Sequence, residues 1–317
     1  MHMTQLQSGA QGHDEQDEFR FLNADAARVG CTGPLPTVRR HEVTVSDGRT
    51  LSALSYTPRD QPDAAPRYVF LHGMGLNAHG FDPVALALGA PVLALDLPGH
   101  GRSDWREDAN YRPDLLAADV LIALEQLAPE PFVLVGHSLG GLVAAIAAPQ
   151  LGERMLGLVI LDITPGISPQ GDAGEIGDFI SGQRDFATQE EMVERAIAYG
   201  IGEDRAALTR GVAFNARQRP DGRWEWAHHF AHMDASPTEG MGEGKPFAPI
   251  WALLEAVHAG GINVSLVRGS GGLIGPDLEA EWHERLPGAA VVTVHGPHNI
   301  HETSPAELAA SISDLSS

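Results

Sequence analysis

Phe132-Val133-Leu134-Val135-Gly136-His137-Ser138-Leu139-Gly140-Gly141-Leu142-Val143 opens on four apolar residues, passes through a G-x-S-x-G and runs directly into a stretch of small helix formers. A short apolar run without alternation is the mark of a strand covered on both faces. The serine then falls at a sharp strand-to-helix turn, where glycines two residues to either side leave space for backbones that side chains would hold apart. The amino end of the following helix faces its hydroxyl. In that setting Ser138 is a candidate nucleophile, and a plain structural turn is the competing reading.

Working outward, similar runs occur at residues 68–71, 92–95 and 158–161, with helical stretches at 114–127 and 139–148 between them. Buried strands alternating with helices predict an α/β fold, a mostly parallel sheet with helices on both faces. Residues 41–45, the Asp47-Gly48 turn and residues 50–56 read as a hairpin, so the sheet begins antiparallel. From about 166 to 247 the rhythm stops. This region is polar, carries several Gly and Pro, and offers helices such as 189–199 but no buried parallel strand. The alternation returns with helices near 249–259, 276–286 and 305–315 and strands at 264–267 and 290–294. The expected organisation is a core of residues 38–165 and 248–317, an inserted helical cap at 166–247, and a flexible amino-terminal arm at 1–37 with at most one short helix near 18–29.

Charge limits the partners. With 21 Lys and Arg against 42 Asp and Glu, the net charge of -21 repels phosphate backbones and anionic lipid surfaces, so neither nucleic acid nor a membrane is expected. A single cysteine, Cys31, makes no internal disulfide. The first 30 residues hold no basic start followed by an apolar run, and no stretch reaches 18 apolar residues, which points to the cytoplasm. A small-molecule substrate is the expected partner, and a homodimer is left open.

His72-Gly73-Met74-Gly75 closes the strand at 68–71, where glycines let a loop fold back over the serine turn. The amides of Met74 and Leu139 are then placed to form an oxyanion hole. Together with Asp96-Leu97-Pro98-Gly99-His100-Gly101-Arg102-Ser103-Asp104 and the G-x-S-x-G, in that order and spacing, this loop resembles the α/β-hydrolase superfamily over about residues 38–317. The resemblance implies a hydrolase-type enzyme and leaves the substrate open, because esterases, lactonases, carbon–carbon bond hydrolases, haloperoxidases and a few lyases share these motifs. In the family the stretch from Asp96 to Asp104 is mainly a structural loop.

The resemblance also places the base. His295-Gly296-Pro297-His298-Asn299-Ile300-His301-Glu302, after the last strand, looks like the family's G-x-G-H loop with Pro297 in place of a glycine; it puts the catalytic imidazole at His298, with His301 as fallback. In many relatives the acid follows the strand after the cap, but here that segment is Val267-Arg268-Gly269-Ser270-Gly271-Gly272-Leu273-Ile274, without a carboxylate. Asp277 is close in sequence, yet it falls in a first helical turn, where an acid is commonly an end residue. Some relatives carry the acid on the strand after the nucleophile helix, and Leu161-Asp162-Ile163 supplies one there. One strand, one helix and one strand return the chain to the same sheet edge, so Asp162 is the expected orienting acid.

No metal or cofactor is expected. His228-His229-x-x-His232 has some ligand spacing, but no nearby acid or cysteine completes it, and no phosphate-binding glycine fingerprint opens the sheet. Trp224, Trp226, His228, His229, Phe230, His232 and Met233 of the cap are candidate pocket walls, with Gly73, Trp224 and Trp226 as the substrate-binding residues. The expected activity is a serine hydrolase for a small, largely apolar ester or lactone. Carbon–carbon bond hydrolysis, haloperoxidase or lyase chemistry, and ligand binding without catalysis are the alternatives.

Overall fold

A computed structural model describes residues 18–202, 204–233 and 244–317. Eight strands form one sheet: β1 (Thr37–Thr44), β2 (Thr50–Thr57), β3 (Tyr68–Leu71), β4 (Val92–Leu95), β5 (Phe132–His137), β6 (Met155–Leu161), β9 (Asn263–Gly271) and β10 (Val291–Pro297), with a short antiparallel pair, β7 (Ala216–Gln218) and β8 (Trp224–Trp226), elsewhere. The order across the sheet is β1-β2-β4-β3-β5-β6-β9-β10. β1 pairs β2 and β2 pairs β4 antiparallel; every later pairing is parallel.

The apolar runs explain the centre of this sheet. All of β3, β4 and β5 is buried, which a central parallel strand with helices on both faces requires. Helices Pro113–Leu127 and Leu139–Leu151 cover one face with Trp251–Ala259, while Asp82–Leu88 and Pro305–Leu315 cover the other. The predicted hairpin closes at Gly48, whose φ of 86° is costly for any residue with a Cβ.

Between β6 and β9, helices Gly174–Ser181, Gln189–Ala198 and Arg205–Asn215 and the β7–β8 pair gather a small core of their own around Phe186, Met192, Val193, Leu208, Val212 and Trp226. This segment is tied to loops at the carboxyl edge of the sheet. The His229 amide donates to the Gly99 carbonyl at 2.8 Å, and Asn77 Nδ2 donates to the Phe214 carbonyl at 3.0 Å.

The amino-terminal stretch corrects one expectation. Residues 1–17 of the presumed flexible arm lie outside the described residues, but residues 18–37 pack onto the core, and the helix there spans Leu22–Arg28 with Leu22, Asp25 and Ala26 buried. Leu22 and Ala26 join the core with Phe19, Val29 and Leu35 against it, and buried ion pairs fix the stretch in place. Glu18 accepts from Arg40 Nε at 2.8 Å, and Arg40 Nη1 donates to Asp96 Oδ2 at 2.9 Å. Asp25 accepts from Arg210 Nε at 2.7 Å, while Arg210 Nη2 donates to Asp82 at 2.6 Å. Buried charges of this kind are tolerated only when paired, and removing one partner costs about 3–5 kcal/mol. Burial pushes the Glu18 carboxyl up, but His79, Arg40 and Arg102 outweigh it and bring it down to about 2.

Candidate active site

β5 ends at His137 and the chain turns at Ser138 with φ 52° and ψ −121°, outside the regions open to ordinary L-residues. The surroundings hold it there. The Ser138 amide donates to the Leu161 carbonyl at 3.0 Å, and helix Leu139–Leu151 starts at the next residue. A Cβ on Gly136 would lie 2.3 Å from the Gly140 carbonyl oxygen, and one on Gly140 would lie 2.2 Å from that of Leu71. The two glycines of the motif are therefore steric requirements, Gly136 of the helix folding back over its own strand and Gly140 of that helix's approach to the end of β3.

Asp162 follows β6 directly and is fully buried, with φ 49°. Its carboxylate accepts three hydrogen bonds, each at 2.8 Å: from the Gly269 amide, from the Leu273 amide and from His298 Nδ1. The segment at 267–274, where many relatives carry the acid, here wraps an acid supplied from the neighbouring strand. Gly272 shows how closely: a Cβ there would stand 2.2 Å from Asp162 Oδ2. With Nδ1–H committed to Asp162, the other ring nitrogen of His298 carries the lone pair that can take a proton. His298 and Ser138 line one cavity of about 390 Å³. The His298 carbonyl accepts from His137 Nε2 at 3.1 Å, which fixes the loop from beneath.

His301, the fallback base, is fully buried against Phe81 and His137 and lines no part of the cavity. Asp277 lies in the first turn of helix Pro276–Arg285 beside a separate surface hollow with Lys245, Glu281 and Arg285.

Met74 lines the cavity, and Leu139 is the first residue of its helix, so its amide has no acceptor within that helix. Two buried imidazoles brace the loop around Met74. His72 Nδ1 donates to the Gly73 carbonyl at 2.8 Å and its Nε2 accepts from the Leu97 amide at 2.9 Å. His100 Nδ1 donates to the Pro98 carbonyl at 3.0 Å and its Nε2 accepts from the Gly75 amide, also at 3.0 Å. The Asp96–Asp104 loop is thus a brace for the neighbouring loop, with Asp96 held by Arg40 and by the amides of Ala78 and Arg102.

Of the expected pocket residues, Gly73 and Trp226 line the cavity. Trp224 does not: its backbone pairs with Phe186 at the outer end of the β7–β8 ribbon, and its half-buried side chain packs on the small core there. His228 is the only other member of the predicted aromatic and histidine wall to line the cavity. His229 and His232 stack on Trp105, and Phe230 joins the main core. Among the described residues no group of His, Cys, Asp and Glu has metal-binding geometry. Sequence reading missed Glu302, Asn299 and Asn215 as cavity residues; Glu302 follows His298 by four positions, the one signal available.

Buried neutral histidines make the fold acid-sensitive. Burial pushes His228 and His301 down to about 3 and His100 and His137 well below the usual imidazole value. Acceptance of amide protons by His100 and His228 requires the neutral ring. Above pH 6.5 these groups are neutral folded or unfolded. Below it the unfolded chain takes up protons that the fold refuses, costing about 1 kcal/mol per group between pH 7 and pH 5.5, or roughly 5 kcal/mol for the four over that interval. His79, which despite burial is held above the usual imidazole value by Asp82 and Glu18, gains stability over the same interval and offsets part of this. The expected outcome is a melting temperature that falls by on the order of 10 °C between pH 7 and pH 5.5 in scanning calorimetry, whereas a flat profile would mean that these rings are charged or hydrated.

A family model for the alpha/beta hydrolase fold matches residues 66–305. The protein is an α/β hydrolase. Esterase Rv0045c of Mycobacterium tuberculosis is 36% identical over 302 residues, covering 92% of this chain and 93% of the relative. A crystal structure of that esterase superposes with a TM-score of 0.75 at 34% identity, covering 96% of this chain and 98% of the other. The sn-1-specific diacylglycerol lipase ABHD11 of Mus musculus is 35% identical over a shorter stretch of 144 residues, 44% of this chain and 45% of the lipase. E-2-(acetamidomethylene)succinate hydrolase, at TM-score 0.73 and 22% identity over 88% of this α/β hydrolase and 99% of the other chain, shares its fold. Among the described residues no helix is long and apolar enough to cross a membrane.

Proposed function

We propose that the protein is a serine esterase acting through Ser138, His298 and Asp162. The observation that carries this reading is the 2.8 Å contact of His298 Nδ1 with a fully buried Asp162, beside a strained Ser138 on the same cavity. Similarity to a named esterase over almost the whole of both chains supports it.

In this mechanism His298 takes the Ser138 proton as the oxygen attacks the ester carbonyl. The Met74 and Leu139 amides hold the developing oxyanion, and His298 returns the proton to the leaving alcohol. Water, activated by the same imidazole, then releases the acid. Asp162 holds the ring in its tautomer and stabilises its charge. A lactone, being an internal ester, fits the same steps. Ile176, Phe179, Ile180, Leu208, Val212 and Trp226 wall much of the cavity and suit the apolar stretch of an acyl or alcohol chain. Residues 166–247 act as the cap over a core of 38–165 and 248–317, and the substrate is a small molecule. A pocket that only bound a ligand has no use for a buried carboxylate orienting an imidazole beside a strained serine.

The test is turnover of para-nitrophenyl esters of increasing acyl length and of simple lactones. The expected result is hydrolysis of short and medium acyl esters that saturates with substrate. Absence of turnover across both series would contradict it.

A further inference from the structure

Glu302 stands on the helical turn Ile300–Thr303 that follows the catalytic loop, is only 9% exposed, and lines the cavity that holds Ser138 and His298. Among the described residues its side chain has one hydrogen-bond partner, Asn299 Nδ2, at the long distance of 3.4 Å. Room for the carboxyl is made by the helix opposite: a Cβ on Gly211 would lie 3.1 Å from Glu302 Oε1. The nearby guanidinium groups are engaged elsewhere, Arg210 with Asp25 and Asp82, and Arg28 with Asp204 and the Glu302 carbonyl. Among the described residues the other carboxylates lining the cavity are Asp172 and Glu175, and no Lys or Arg lines it. Arg210 and Arg28 act on the Glu302 carboxyl only through space, without a close ion pair among the described residues; a buried carboxyl so placed is costly, and a ligand that brings a donor recovers part of that cost.

We propose that Glu302 is a specificity-determining residue that binds an ammonium group on the non-reacting part of the ester. This rests on the esterase reading above and adds the substrate class: esters carrying an amine are preferred over neutral ones of the same length, and esters carrying a carboxylate are disfavoured. Burial outweighs Arg210, Arg28 and Asn299 and leaves the Glu302 carboxyl raised. A bound ammonium favours the ionised form, which makes the contact a charge-assisted hydrogen bond.

The experiment uses three para-nitrophenyl esters of one acyl length, ending in methyl, ammonium or carboxylate, at pH 7.5. Wild type is expected to favour the ammonium ester over the carboxylate ester by about a hundredfold in kcat/KM, and Glu302→Gln to lower that preference by about tenfold, through KM. The methyl-ended ester is the reference within each protein: the ammonium and carboxylate esters are expressed relative to it, so that a uniform change in activity does not count as a change in preference. Inhibition of methyl-ester hydrolysis by hexylammonium, compared with hexanol, gives a second reading that must weaken in the same variant. An active wild type whose preference does not change in Glu302→Gln overturns the proposal, as does a variant that loses all three esters equally. A wild type inert to all three esters overturns the esterase reading and this proposal with it.

Discussion

Ser138→Ala is expected to lower kcat on a para-nitrophenyl ester by about a millionfold while the melting temperature stays within a few degrees of wild type. The size of the loss follows from the absence of any substitute. The serine oxygen is the attacking atom, and without it the imidazole has no hydroxyl to deprotonate, leaving only the background given by bound-substrate orientation and the oxyanion donors. The small structural cost also follows. Ser138 caps no helix with its side chain, and its anchoring bond runs through the main-chain amide to Leu161, which alanine preserves. Alanine must still adopt φ 52°, the strain that serine already bears. Stopped assays with wild type and variant under saturating ester measure the difference directly. A variant within tenfold of wild type would move the nucleophile elsewhere.

Asp162→Asn is expected to cost about ten-thousandfold in kcat, because an amide in this position no longer favours the tautomer with the proton on His298 Nδ1 and cannot stabilise the imidazolium. The surroundings strengthen the effect. Both Asp162 oxygens receive main-chain donors, from Gly269 and Leu273, so either orientation of an asparagine amide turns its NH2 towards a donor in a fully buried site. The variant is therefore expected to lose stability by roughly 1–3 kcal/mol as well as activity, which paired kinetics and denaturant unfolding separate. Asp277, on its surface turn, is the control: Asp277→Asn leaves kcat unchanged within about twofold.

The nucleophile turn was legible because everything that specifies it is local. Four apolar residues, two glycines and the serine lie within nine positions, and their spacing alone predicts the strand, the turn and the helix that the structure shows. The position of Asp162 was legible for a different reason: chain direction in a parallel sheet returns it to the serine's edge after one helix and one strand, where it meets His298. What the sequence withheld is how the glycine-rich segment at 267–274 works. Gly272 reads as a loop glycine until the Asp162 carboxylate is seen 2.2 Å from where its Cβ would stand.

In the amino-terminal stretch the short helix expected near 18–29 is present at Leu22–Arg28, but the packing of residues 18–37 onto the core was not legible, for a related reason. Glu18 and Asp25 look like solvated charges among polar neighbours, yet their partners Arg40 and Arg210 lie 22 and 185 residues away, and no local pattern announces such pairs. Trp224 was misread because alternation along β8 gives it the same face as Trp226 without fixing which end of a three-residue strand reaches the cavity. Glu302 carried no motif at all; only the gap left by Gly211 and the absence of Lys and Arg from the cavity wall give it meaning.

The serine, the imidazole and the buried carboxylate are claimed to act as one unit, and a fluorophosphonate reports on that unit without knowledge of the natural substrate. Intact-mass and peptide analysis after brief labelling at pH 7.5 is predicted to show one phosphonyl group per chain, attached to Ser138, with the rate falling by several orders of magnitude in Asp162→Asn. Labelling at another residue, or equal rates in wild type and Asp162→Asn, would contradict it.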